Sequence, residues 1–295
     1  MGKEQGEHSF LLDMLVGSVS ASISKTIIAP VERVKLLLQL QDTSTQLTQQ
    51  TRYQGIGDCV SRVWSEQGAV SFWRGNMANI YRYFPATAFS FATKDWFKRT
   101  FCGFDPDTQY SQFVMGNILS GGFAGGATTF VTYPLDFART RLAADVGRNK
   151  GERLFTGLID CIRKVVRVEG ITGVYRGLQI AIPGFIVYRA FYFGLYDSWT
   201  YRQNLPVWQL LVLANSITAG LSAVMYPFDT IRRRLMMQSG RKDILYAGVV
   251  DCIQKIHRNE GGVKAFYKGG LTNMVRSAGG AIVLVLYDKL KGLVK

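Results

Sequence analysis

No two of the four cysteines, Cys59, Cys102, Cys161 and Cys252, stand in a CxxC pair. That spacing argues against a metal site, and it suggests no disulfide framework. Acidic residues are scarce, 21 against 35 Lys and Arg, which leaves a net charge of +14. Such an excess suits nucleic acid, anionic lipid or an anionic substrate, and the placement of the charges must decide. Proline is also scarce, at 7 residues, whereas glycine numbers 31 and hydrophobic residues make up 47%. Glycine-rich apolar segments are commoner in membrane helices than in soluble ones. Residues 1–9 are polar and mixed in charge, unlike a secretory or transit sequence, so targeting to an organelle is expected to be internal.

Two stretches, Thr108–Leu135 and Gln203–Phe228, carry no charge over more than a bilayer's worth of helix, about 20 residues. Four further apolar segments are interrupted by single cations: Leu11–Ile28 by Lys25, Met77–Phe91 by Arg82, Gly177–Tyr196 by Arg189 and Leu271–Tyr287 by Arg276. A charge inside a membrane helix is costly and usually faces a water-filled cavity.

Internal repetition is strong. Tyr53-Gln-Gly55-Ile-Gly-Asp58-Cys59, Phe155-Thr-Gly157-Leu-Ile-Asp160-Cys161 and Tyr246-Ala-Gly248-Val-Val-Asp251-Cys252 all read aromatic-x-Gly-x-x-Asp-Cys, spaced by 102 and 91 residues. Before each comes Pro-x-acid-x-x-base: Pro30 with Glu32 and Lys35, Pro134 with Asp136 and Arg139, Pro227 with Asp229 and Arg232. After each comes aromatic-base-Gly, at Trp73-Arg74-Gly75, Tyr175-Arg176-Gly177 and Tyr267-Lys268-Gly269. Three elements recurring three times in one order mark a repeat architecture.

Each unit reads as a membrane helix, a polar loop carrying a short amphipathic helix, and a second membrane helix. The loop helix follows from Ile56, Val60 and Val63 in the first unit and Leu158, Ile162 and Val165 in the second, at helical spacing, with an apolar face laid on the interface. The units are expected at residues 1–107, 108–204 and 205–295, giving an all-α membrane protein of six spanning helices with threefold pseudosymmetry. Residues 40–76, 139–176 and 232–268 hold 21 Lys and Arg, against 7 in the termini and the links between units. The positive-inside rule therefore puts the long loops on the retaining side and both termini on the other. Gly121, Gly125 and Gly126 suit close helix contact, as do Gly17 and Ala21 more weakly. The acid and base of each Pro-x-acid-x-x-base motif share one helix face, so under threefold symmetry an acid of one unit can meet the base of the next. The prolines are expected to kink or break those helices.

These motifs resemble those of the mitochondrial carrier family over all three units. Arg232-Arg233-Arg234 followed by Leu235-Met236-Met237, with the contexts of Arg82 and Tyr188, is similar to its adenine-nucleotide-exchanging branch. The resemblance implies transport rather than enzymatic catalysis, with no cofactor, no catalytic residue and no metal. It implies ADP/ATP antiport in the mitochondrial inner membrane by a chain that works as a monomer, its loops toward the matrix and its termini toward the intermembrane space. It also implies a matrix gate of Glu32 with Arg139, Asp136 with Arg232, and Asp229 with Lys35, braced by Gln39. A cytoplasmic gate is implied at Asp95, Lys98, Asp197, Asp288 and Lys291, with Thr200 where the middle copy should carry a base. Phosphate would be held by Lys25, Arg82 and Arg276, and adenine by a slot near Gly184 with Tyr188 stacking on it. Tyr188, Tyr192 and Tyr196 share a face that suits passage of the base or simple packing. Arg189, Arg232, Arg233 and Arg234 would handle phosphate in transit. Helix N-termini bind phosphate, and in this family Gly55, Gly157 and Gly248, which would begin the loop helices, and Gly75, Gly177 and Gly269, which would begin the next membrane helices, are implied to hold cardiolipin at three sites between units.

Some positions depart from the family pattern: Phe185 beside the adenine slot, Ser90, Met225, and Leu235 in the methionine triplet. Two other readings stay open, a carrier of another anion or a proton leak, and a structural subunit using Trp96, Phe101 and Trp199 against a partner. No nucleic-acid role is expected, because the motif bases are paired with acids.

Overall fold

The computed structural model describes residues 2–101, 109–147, 152–200, 207–241 and 243–273. Among these there is no strand. Long helices α1 (Gly2–Leu40), α3 (Asn76–Phe101), α4 (Tyr110–Ala144) and α6 (Leu178–Thr200) alternate with short helices α2 (Ile56–Gln67) and α5 (Leu158–Glu169). The third unit supplies α7 (Val207–Val224), α8 (Tyr226–Gln238), α9 (Val249–Asn259) and the one-turn α10 (Val263–Phe266). Residues 270–273 open a further helix.

The motif prolines behave differently in the three units. Pro30 and Pro134 lie inside continuous helices α1 and α4. In the third unit the helix breaks at Met225, and Pro227 falls in the first turn of α8, where its missing N–H costs nothing. In α1 a proline at position 30 leaves the Thr26 carbonyl without its usual helical donor. The Trp73 indole N–H donates to that oxygen at 2.8 Å.

Among the described residues no single helix is long and apolar enough to cross a membrane; only the pair Leu158–Glu169 and Ile171–Tyr188, bent by 118°, passes together. The segment from Thr108 to Leu135 lacks charge but is rich in Gly, Ser, Thr and amide side chains, and Lys25, Glu32 and Lys35 interrupt α1. Polar stripes of this kind face an interior, and they lower the mean hydropathy of helices whose other faces are apolar. Val19, Ile23 and Ile27 on α1, and Met115, Leu119 and Phe123 on α4, are exposed.

Each loop helix docks on the end of its preceding long helix through a small core. In the first unit Val34, Leu37 and Leu38 pack with Tyr53, Cys59, Val63 and Phe72. In the second, Tyr133, Phe137 and Ala138 pack with Phe155, Cys161, Val165 and Val174. In the third, Ile231 and Leu235 pack with Tyr246, Cys252, Ile256 and Phe266. The repeated cysteine is thus a small buried hydrophobe four residues ahead of an aliphatic on the inner helix face. The outer faces carry Trp64, Ile159 and Val250, which are exposed. The methionine-triplet region is divided among three tasks: Leu235 joins the third core, Met236 the second, and Met237 a separate cluster described below.

Candidate functional site

The three motif acids and bases meet at the loop end of the bundle. Arg139 donates to Glu32 Oε2. Arg232 Nη2 lies 3.3 Å from Asp136 Oδ2, and Lys35 Nζ 2.8 Å from Asp229 Oδ2. Lys35 also donates to Asn273 Oδ1 at 2.9 Å. Each bond joins an acid of one unit to a base of the next, so the three pairs close a ring.

Every ring acid holds a second cation as well. Lys25 lies 3.5 Å from Glu32, Arg82 3.1 Å from Asp136, and Arg233 2.9 Å from Asp229. All three second cations face open space. One cavity of about 290 Å³ is lined by Lys25, Arg82, Tyr188, Met225 and Arg233. A second, of about 340 Å³, is lined by Arg82, Ser90, Gly125, Asp136 and Phe185. Arg82 belongs to both. Tyr188 stacks on Tyr192, with ring centroids 6.3 Å apart and planes 16° apart. Gly184 is buried, and a Cβ there would stand 3.9 Å from Met225 Cε and 3.8 Å from Phe228 Cβ. Phe185 does not share that slot; its ring lies against Gly125 on α4, on the wall of the other cavity.

Two expected residues lie elsewhere. Gln39 is fully buried and donates to Thr230 Oγ1 at 2.8 Å, not to a ring ion. Thr230 passes the bond on to the Phe266 carbonyl at 2.7 Å. Arg234 is also fully buried and lines neither cavity. It donates to Asp42 at 2.9 Å and to Glu260 at 2.7 Å, joining the first unit's loop to the third unit's. Arginine suits such a post because its planar fork serves two carboxylates at once. The side chains of Asp95, Lys98, Arg189, Tyr196, Asp197 and Thr200, and all of Arg276, Asp288 and Lys291, lie outside the described residues.

Below the ring sits a seal that the sequence reading missed. Leu36 and Leu40 of α1, Ala143 and Ala144 of α4, and Met237 of α8 form one buried cluster. Leu40, Ala144 and Met237 each stand five residues after a motif base, Lys35, Arg139 and Arg232, and so turn away from the base's own face. Charged pairs with an apolar plug beneath them exclude water from that end.

The aromatic-base-Gly glycines hold the units together. Gly75, Gly177 and Gly269 have φ of +82°, +87° and +79°, a region where a side chain is strained. A Cβ at Gly75 would stand 3.0 Å from the Arg139 carbonyl oxygen, at Gly177 2.7 Å from that of Arg232, and at Gly269 3.1 Å from that of Lys35. Tyr133 and Tyr226 donate to the carbonyls of Arg176 and Lys268, just before two of these glycines. The other glycine set, Gly55, Gly157 and Gly248, caps α2, α5 and α9 in extended conformation and faces open space.

A threefold helical bundle, sealed by ions and an apolar plug at one end and holding cations about a central hollow, has the form of a membrane solute carrier. The sequence pattern of the mitochondrial carrier protein family matches residues 6–105, 110–201 and 203–295. The chain is 52% identical to ADP/ATP translocase 3 of Homo sapiens over 295 residues, 97% of this chain and 98% of that protein. It is 53% identical to ADP/ATP translocase 2 of Rattus norvegicus over 292 residues, 96% of this chain and 97% of the relative. To ADP/ATP translocase 4 of Mus musculus it is 48% identical over 288 residues, 96% and 90% of the two chains. The chain belongs to the mitochondrial carrier family.

Proposed function

We propose that this chain is an ADP/ATP antiporter of the mitochondrial inner membrane that opens to one side at a time. The observation that carries this reading is identity of about half, along nearly the whole length, with ADP/ATP translocases. The hollow supports it: Lys25, Arg82 and Arg233 line it, and Tyr188 offers a flat face to a base.

In this reading the ring of Glu32, Lys35, Asp136, Arg139, Asp229 and Arg232 is the matrix gate, shut here, and the loops face the matrix. The doubled cations supply the link between binding and opening. Phosphates entering the hollow compete with Glu32, Asp136 and Asp229 for Lys25, Arg82 and Arg233. Each acid then keeps one partner instead of two, and the ring loses attraction where it must part. Only a polyanion does this well, because the gain on the phosphates must offset three lost pairs. The adenine would lie between Gly184 and Tyr188, with Met225 at its edge. The chain works as a monomer without a cofactor, with cardiolipin headgroups at the N-termini of α2, α5 and α9 and at Gly75, Gly177 and Gly269.

Uptake of labelled ADP into liposomes loaded with ATP tests the reading. Exchange is expected to need nucleotide on both sides. Absence of exchange, with transport of some other anion, would sink it.

A further inference from the structure

A cavity of about 620 Å³, larger than either of the two central ones, lies away from the central hollow. It opens on the loop face, beyond the apolar plug, between the ends of α4 and α8, the loop after α1, and α5. Ala144 and Met237 belong both to its wall and to the plug. A solute arriving from the loop side therefore meets this cavity before the ring.

Its lining combines cations with apolar surface. Arg141, Lys164, Arg167 and Arg241 stand around Phe155 and Val168. Arg141 is only 7% exposed and its guanidinium lies 5.2 Å from the centroid of the Phe155 ring. It donates to the Met237 carbonyl, yet its Nε is buried with no hydrogen-bond partner. Two acids line the cavity, and both are engaged. Asp145 accepts from Gln46 at 2.9 Å and from the backbone of Gly147 and Leu154, while Asp243 pairs with Arg241 at 2.7 Å. Lys164 pairs with Asp160 at 3.0 Å but keeps half its side chain exposed. Four cations against two occupied acids leave a positive, partly enclosed site with an aromatic wall.

We infer that this cavity is a loop-face waiting site for a phosphorylated solute with a flat apolar part. A nucleotide would lay its phosphates on Arg141, Lys164 and Arg167 while the ring is shut. Naming the solute a nucleotide rests on the antiport reading; the preference for a phosphate does not. The site is built on α5, the loop helix of the second unit. The threefold counterparts of Lys164 and Arg167 are Lys255 and Arg258 on α9, where Lys255 likewise pairs with Asp251, at 2.8 Å, and neither lines this cavity.

That symmetry provides the control. Amine acylation of the intact carrier, read by mass spectrometry, reports Lys164 and Lys255 in one sample. ATP, and inorganic triphosphate as the base-free probe, are expected to slow labelling of Lys164 at least twofold while Lys255 is unchanged. Equal labelling of the two lysines with both probes overturns the site, whether or not the protein transports. Protection by ATP alone assigns the aromatic wall a part in binding; protection by both assigns the site to phosphate.

Transport gives the second arm. In K164Q/R167Q the KM for nucleotide offered on the loop face is expected to rise about threefold to tenfold, the loss of two charge-assisted contacts. The KM on the other face should hold, and K255Q/R258Q, which removes the same charge, should change neither. A rise on both faces, or one matched by the control pair, overturns the proposal. A parent protein that exchanges no adenine nucleotide counts against the antiport reading, and the triphosphate footprint still decides this one.

Discussion

The Phe185 ring on α6 occupies the place that a Cβ of Gly125 on α4 would need. The larger side chain is therefore accommodated by the neighbouring helix, away from Gly184, which faces Phe228 and Met225.

Gly125→Ala should force that ring out of place and lower the melting temperature of the detergent-solubilised protein. Overpacking of a filled interior costs about 1–3 kcal/mol. Adding Phe185→Leu should recover much of the loss. A stable G125A variant, or no recovery in the double variant, would show that the contact carries no weight.

Arg82 lines both central cavities and pairs with Asp136 at 3.1 Å. Arg82→Ala removes a phosphate contact and leaves an acid under-paired, so ADP/ATP exchange should fall by more than about tenfold, the equivalent of 1.4 kcal/mol. Transport at the parental rate would mean that the phosphates bind elsewhere.

Lys35 and Asp229 join the first unit to the third. Thermal melts of Lys35→Gln, Asp229→Asn and the double variant form a cycle, and direct partners should couple by about 0.5–3 kcal/mol. Additive effects would argue that the ring pair contributes nothing when the loop end is shut.

Gly177→Ala places a methyl group at positive φ and 2.7 Å from the Arg232 carbonyl oxygen. Backbone cannot yield as a flexible side chain does. A loss of about 1–3 kcal/mol or a failure to fold is expected. Gly157→Ala, extended and facing open space, should be nearly silent in the same melt.

Burial pushes the thiols of Cys59, Cys161 and Cys252 up from 9.0 to about 12. The folded protein holds these protons more tightly than the unfolded chain. Their contribution to stability is therefore complete below pH 9.0 and lost as pH rises toward 12. A maleimide dye near pH 7.5 should leave these three thiols unlabelled until the protein melts, which mass mapping of the labelled sites would check. Rapid labelling of any of them in the cold protein would contradict the packing.

The repeats were legible because their motifs combine residue types with few substitutes: a proline, an acid and base on one helix face, and glycines held at positive φ. The pairing of Glu32 with Arg139 follows from that pattern once symmetry is assumed. The tasks of Gln39 and Arg234 did not, because each depends on a partner distant in sequence: Thr230, at a variable position of the third motif, or Asp42, outside the motifs. The packing of Phe185 was hidden for a related reason. Its neighbour in sequence is Gly184, but its neighbour in space is Gly125, on another helix. The apolar plug consists of ordinary Leu, Ala and Met residues, and only the convergence of three helix ends sets them apart from other core.

The contacts of Gly75 with Arg139, Gly177 with Arg232, and Gly269 with Lys35 run in one rotational sense. Each unit leans on the next, and the third leans on the first. Such an arrangement has no free member. The cycle has no end from which it can fray: a side chain forced in at any one of the three glycines strains the seam between two units, and each unit belongs to two seams.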